Sequence, residues 1–273
     1  TLHFYAFARD SSVVSVPVNL PCSKPGAPAL QRKICNSAAT ADGGALGGSV
    51  FFDKGYLGAS LSTFKTNSGT VAEDEVTMDM RSKRFALEGE YKPGGWAQSV
   101  KLQTSRTDYQ HTEFEGPDPG TVFKNKGNDL RLELRHAKLG NIDGVIGLQT
   151  EKTNFSADGL EAFAPYSQTK QTALFAYEEA AFSWGKLSFG GRLESVKVQS
   201  FGNPQVARFT PETRSFKPAS YALGGLLNIT PQWQLTGNFA VTQRAPKDYE
   251  LFADGPHIAT AAYEVGNANK GHE

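Results

Sequence analysis

Four side chains in this sequence are candidates to hold a cation together. They are His111, Glu113 and Glu115 in "YQHTEFEG", and His257 in "ADGPHIAT". The first three fall at every second position, the period at which a β-strand returns side chains to one face. An imidazole nitrogen and two carboxylates so placed converge on one ion, and Zn²⁺ takes both donor types at about 2.0–2.2 Å in a tetrahedral shell. One strand leaves that shell incomplete, and His257 is the donor expected from elsewhere. Each residue also has a plainer assignment: solvated charge for His111, Glu113 and Glu115, and a loop-anchoring hydrogen bond for His257.

Other chemistry finds little support. "GGRLES" and "GALGGS" are glycine-rich but do not join a strand to a helix, so they are not phosphate loops. No serine or cysteine pairs with an orienting base, which argues against an enzyme. The 28 basic and 28 acidic residues balance, without the basic excess expected of a nucleic-acid binder. Cys22 and Cys35 lie 13 apart in a Pro-, Gly- and Ala-rich segment, with no second cysteine pair and no histidine at finger spacing. That pattern favours a disulfide over a zinc site.

The elements that must position these residues are strands. Apolar and polar residues alternate in "WQLTGNFAVTQ", "DLRLELRH" and "KLSFGGRLES", putting Leu130, Leu132 and Leu134 opposite Arg131, Glu133 and Arg135. Eleven strands are expected, at 2–9, 47–53, 56–65, 75–91, 96–113, 122–138, 144–155, 169–182, 187–199, 214–229 and 233–243. Five connections are tight: "DKG", "KPGG", "GNIDG", "SWGK" and "TPQ". The others are long and polar: 11–45 with both cysteines, 65–75, about 114–121, 156–168 and 201–213. Short turns on one side and long loops on the other describe an antiparallel up-and-down transmembrane β-barrel, with a lipid-facing apolar side and a hydrated lumen. No run approaches the ~18 apolar residues of a membrane helix, but a barrel needs none.

Strand direction follows from the turn at Gly95, placed on the periplasmic side, so that 96–113 runs outward. Val100 and Leu102 set the lipid-facing parity. Lys101, Gln103, Ser105, Tyr109, His111, Glu113 and Glu115 then face the lumen, and His257 lies just past the outer end of the eleventh strand. His136 shares the outward parity near the periplasmic interface. It is set aside as a ligand, with His3 on the first strand and His272 near Glu273. Glu88 and Glu90 face inward and are expected to partner Arg131 and Arg135. Barrels of this kind close with an even number of strands, so eleven imply a piece of a larger one.

The segments "RAPKDYELFADGPHIATAAYEVGNANKGHE", "SVFFDKGYLGASLSTF", "AEDEVTMDMRSKRFALEGEY" and "SRTDYQHTEFEG" resemble barrel segments of TonB-dependent outer-membrane receptors. The closest subgroup takes up zinc, although Lys270 and Gly271 depart from its pattern. The resemblance implies a monomeric 22-strand barrel in the outer membrane of a Gram-negative bacterium, of which residues 1–273 supply about eleven strands and no plug. It also implies contact with outer-membrane lipid, energy from the TonB complex and Zn²⁺ as the transported ligand. The ligands of that subgroup come from barrel and plug, which brings His257 and Glu113 forward. Competing protons would weaken binding below about pH 6. A siderophore or haem receptor is the alternative cargo reading, and a non-transport surface-binding β protein or adhesin is the alternative class.

Overall fold

The computed structural model describes residues 1–159, 161–257 and 262–273. The chain begins with β1 (Leu2–Ser11) and a small hairpin of β2 (Ser15–Pro21) and β3 (Leu30–Lys33). It continues through β4 (Ala39–Phe52), β5 (Gly55–Gly69), β6 (Val76–Tyr91) and β7 (Ala97–Glu115). Then come β8 (Asp118–His136), β9 (Ile142–Asp158), β10 (Ser167–Phe182) and β11 (Gly185–Phe201). The last long strands are β12 (Pro211–Phe216), β13 (Ala219–Thr230) and β14 (Trp233–Val241). One antiparallel sheet runs β1-β4-β5-β6-β7-β8-β9-β10-β11-β13-β14, with β12 beside β11. That path holds the eleven expected strands, and its two ends, β1 and β14, are not paired with each other.

The register separates the two faces. One face aligns Leu57, Gly89, Leu102, Leu132, Leu148, Leu174 and Leu193 across seven strands. A belt of leucines on a sheet with no second layer behind it suits hydrocarbon rather than water. The other face is wired by polar groups. Arg131 Nη1 and Arg192 Nη1 both donate to Gln149 Oε1, at 3.3 and 3.1 Å. The Arg131 guanidinium also lies 4.2 Å above the Phe175 ring, a cation–π contact. Gly147 pairs with Phe175, and a Cβ there would run into that ring, which explains a glycine in mid-strand.

Five differences from the sequence reading have physical causes. Strand β4 starts at Ala39 rather than 47, and the first long loop covers 12–38 rather than 11–45. "ATADGGALGG" carries almost no apolar alternation, yet its backbone pairs with both β1 and β5. The connection expected at 114–121 is a tight Gly116-Pro117 turn, with Gly116 at φ 57°, where glycine pays no steric cost. The strand expected at 214–229 breaks at Lys217-Pro218, because a proline has no N–H for the ladder. Glu88 and Glu90 face the lumen, but Glu88 accepts from Tyr56 Oη and from Gln103 Nε2 at 2.5 Å. The arginines meant for them take nearer carboxylates on neighbouring same-face positions, Arg131 with Glu133 at 2.6 Å and Arg135 with Asp143 at 2.7 Å.

Two clusters of buried apolar residues lie at the end of the sheet opposite the five short turns, where the long loops fold over the inner face. One cluster joins Val196, Val198 and Phe216 to Leu251, and another joins Phe123, Ala157 and Ala162. Cys22 and Cys35 form a disulfide in the first loop. Asn36, just beyond it, has a left-handed φ of 56° and is buried. Its Nδ2 donates to the carbonyls of Thr70, Glu73 and Val76, at 3.1, 2.9 and 2.5 Å, tying the first loop to the second.

Candidate functional site

Most of the segment "RAPKDYELF" serves as a fixture. Arg244 makes a two-pronged ion pair with Glu250, at 2.6 and 2.8 Å. The Glu250 carboxylate also accepts the Lys247 N–H at 2.7 Å, closing the start of helix α1 (Asp248–Phe252). Arg244 and that backbone donor hold the Glu250 carboxyl down at about 2. Asp248 accepts from Ser167 Oγ at 2.5 Å, and Leu251 drops onto Val196 and Val198 of β11. The short helix is thereby pinned to the inner wall, and it sets the starting point of β15 (Asp254–His257), which pairs with β16 (Ala262–Val265).

A second set of contacts joins β15 to the 159–166 loop. The Asp254 N–H donates to the Phe163 carbonyl at 2.8 Å. Arg208 Nη2 donates to the Ala162 carbonyl at 3.0 Å, while its Nε donates to the Asp254 carbonyl. A Cβ on Gly255 would lie 2.9 Å from Phe163 Cα, so only glycine permits this approach.

These fixtures bring His257 to the strand wall. Its ring stacks on Phe163 with centroids 4.3 Å apart, and Phe163 lies 6.0 Å from Phe123. On the far side, Phe123 stacks on His111 at 4.6 Å. Two imidazoles thus flank two phenyl rings. Each histidine is oriented through Nδ1, by Tyr109 Oη at 3.0 Å for His111 and by Glu264 Oε1 at 2.6 Å for His257.

Glu113 lies beside this stack and is only 6% exposed. This part of β7 stands above the lipid band. On the outer face the apolar residues end at the row of Leu61, Phe85 and Arg106, and the next row is Thr63, Lys83, Asp108 and Lys126. Burial, with Glu161 and Glu73 nearby, pushes the Glu113 carboxyl up to about 7, against a partial downward pull from His257. Glu161 is raised by burial, Glu115 and Glu73. His111 is lowered by burial and by His257. Carboxylates thus crowd one another here, beside a His111 imidazole that burial pushes towards its neutral, ligating form.

The predicted donors divide. His111, Glu113 and His257 come into one electrostatic neighbourhood, while Glu115 is exposed at its edge. Their coordinating atoms are not drawn into a finished shell. Among the described residues, the group of three with ligand atoms within 4.8 Å of one another is Cys22, Cys35 and Asp74, where the disulfide uses both sulfurs. Glu73 and Glu161 escape a sequence reading because they lie in loops, where no strand parity says which way a side chain faces. His136 faces outward near the short-turn end, where its parity puts it, and pairs with Glu178 at 3.0 Å.

The TonB dependent receptor-like, beta-barrel family matches residues 36–269. The chain belongs to this family. Its fold is shared with the copper transporter OprC, at TM-score 0.75 and 12% identity over 93% of this chain and 42% of that one. The FrpB iron transporter from Neisseria meningitidis aligns at TM-score 0.72 and 10% identity, covering 90% and 43% of the two chains. The Serratia marcescens hemophore receptor HasR, seen with its hemophore and heme, aligns at 0.68 and 15%, covering 96% and 44%. The chain spans less than half the length of these proteins, two of them transporters and one a hemophore receptor.

Proposed function

We propose that this chain supplies about half of the barrel of a TonB-dependent receptor in a Gram-negative outer membrane, and that the receptor takes up a metal ion or small metal complex, with Zn²⁺ as its cargo. The observation that carries this reading is Glu113, a buried carboxyl held among Glu73 and Glu161 and flanked by His111 and His257. Such a group is stabilised by a cation, and the imidazole-plus-carboxylate donor set is one that Zn²⁺ accepts well. Capture begins when His111, Glu113 and His257 draw together around the ion, with remaining positions filled by other parts of the receptor. Release follows when those parts are pulled away by the TonB complex. His257 is the movable donor, since it rides on the two-stranded β15–β16 unit, whereas His111 and Glu113 ride on the wall.

Calorimetry on the full-length receptor with ZnCl₂ tests the proposal. The unmodified receptor should bind, and His257→Ala with Glu113→Ala should weaken binding by at least ~100-fold, beyond the loss typical of one supporting residue. Unchanged affinity in the double variant would sink the assignment. The family's structural neighbours include iron and haem receptors, so growth under zinc limitation against growth under iron limitation separates the cargoes.

A further inference from the structure

The outer face of β9, β10 and β11 is graded along the strands. Leu148, Leu174 and Leu193 form one cross-strand row, followed two residues further out by Thr150, Thr172 and Ser195. The next row is Lys152, Lys170 and Lys197, and above it lie Asn154, Gln168 and Gln199. Apolar, hydroxyl, cationic and amide rows succeed one another as hydrocarbon gives way to headgroups and then to water.

The lysine row is costly unless something neutral or negative covers it. Lys170 stands directly opposite Lys152 on one side and Lys197 on the other, and adjacent strands are only ~4.8 Å apart. Like charges directly opposite in a sheet are destabilising. All three lysines are exposed, and among the described residues none has a carboxylate partner. On the same face Asp108 lies 3.8 Å from Arg106 and Asp158 pairs with Lys124 at 3.5 Å, so neither carboxylate is paired with the lysine row.

Directly below lies an apolar groove of about 710 Å³, bounded by Leu132, Ile146, Leu174, Phe189, Leu193 and Tyr221. Gly191 and Ala219 keep its floor low. The lysines sit about 13 Å along the strand from the leucines, four residues at ~3.3 Å each. A single lipid spans that distance, with its anionic head on the ammonium row and a chain in the groove. A soluble acidic protein would reach the lysines and leave the groove untouched.

We propose that β9, β10 and β11 carry an outward-facing site for a phosphorylated lipid of the outer leaflet, its phosphates bridging Lys152, Lys170 and Lys197 and one acyl chain lying in the groove beneath. The phosphates would relieve the lysine repulsion and fix the receptor's depth in the membrane. The inference rests on the outer-membrane placement but not on the cargo. Fractionation of the receptor outside the outer membrane would remove both, whereas failed zinc binding would leave the lipid site standing.

Native mass spectrometry of the full-length receptor in detergent provides the test. The probes are a diglucosamine lipid with two phosphates, its dephosphorylated form, and phosphatidylethanolamine. The receptor should retain the bisphosphorylated lipid at least tenfold better than either of the others. Lys152→Gln, Lys170→Gln and Lys197→Gln together should erase that preference, while Lys54→Gln, Lys92→Gln and Lys138→Gln in the short-turn end should not. If the triple variant does not fold, Lys170→Gln alone should lower retention about threefold. Equal retention of phosphorylated and dephosphorylated lipid, an unaffected Lys170→Gln variant, or full displacement by millimolar inorganic phosphate would overturn the proposal.

Discussion

Among the described residues, histidine–carboxylate arrangements stand at both ends of the wall, and His136 with Glu178 differs in kind from His111 with Glu113. At the short-turn end, His136 is buried with its Nδ1 at 2.8 Å from the Ala137 carbonyl and its Nε2 at 3.0 Å from Glu178. Both nitrogens face acceptors, so the ring is fully used as a donor. Gly144 stands between the partners in the row, and a side chain there would collide with the Glu178 carboxylate. At the loop end, His111 is oriented through Nδ1 alone, and Glu113 is buried among other carboxylates. The same residue types form a closed pair in one place and a set of mutually repelling carboxyl groups in the other. Composition does not distinguish them; the sign of the surrounding charge does.

The sharpest way to break this contrast is with pH. Glu113 is protonated up to about 7, so a cation must displace its proton there, and zinc affinity should fall by about tenfold per unit as pH drops from 7 to 5. That places the onset of the fall about half a unit higher than an ordinary imidazole alone would. Calorimetry across that range, repeated in two buffers of different ionisation heat, should show about one proton released per ion. A flat profile would return Glu113 to the role of a solvated rim charge.

A smaller effect concerns the metal-free receptor. The Glu113 carboxyl titrates at about 7 in the fold, against 4.5 in an ordinary setting. The unfolded chain therefore loses its proton first, and stability falls as pH rises between about 4.5 and 7. Glu113→Gln should recover on the order of 2 kcal/mol at pH 8 and almost nothing at pH 4, measured by denaturation of the full-length receptor in detergent. The smallest effect belongs to the closed pair. His136→Ala should cost about 1 kcal/mol of stability, the worth of a buried hydrogen bond, and leave zinc affinity unchanged. A loss of zinc binding in that variant would erase the distinction between the two ends.

How far the sequence carried each part follows from where periodicity exists. The alternation of Leu130, Leu132 and Leu134 with charged residues determines a wall with an inside and an outside, and the same parity put His111 and Glu113 inward and His136 outward. The five short turns were legible because glycine and proline announce them. Strand β4 was partly hidden, since glycine and alanine pair their backbones without leaving an apolar trace. The break at Pro218 was written in the sequence, but its effect needed the ladder to show which N–H was missing. Glu73, Glu161, Phe163 and Glu264 lie on loops or short irregular strands. Their approach to Glu113 and His257 depends on contacts such as Gly255 against Phe163, which no local pattern encodes.

The amide of Asn36 joins two loops at the loop end of the wall. By donating to the carbonyls of Thr70 and Glu73 in the 70–75 connection and of Val76 at the start of β6, it ties the loop that bears the disulfide to the backbone of Glu73. Glu73 is also among the carboxylates that raise Glu113, so the first loop, through one amide, holds the backbone that carries part of the charge around that group.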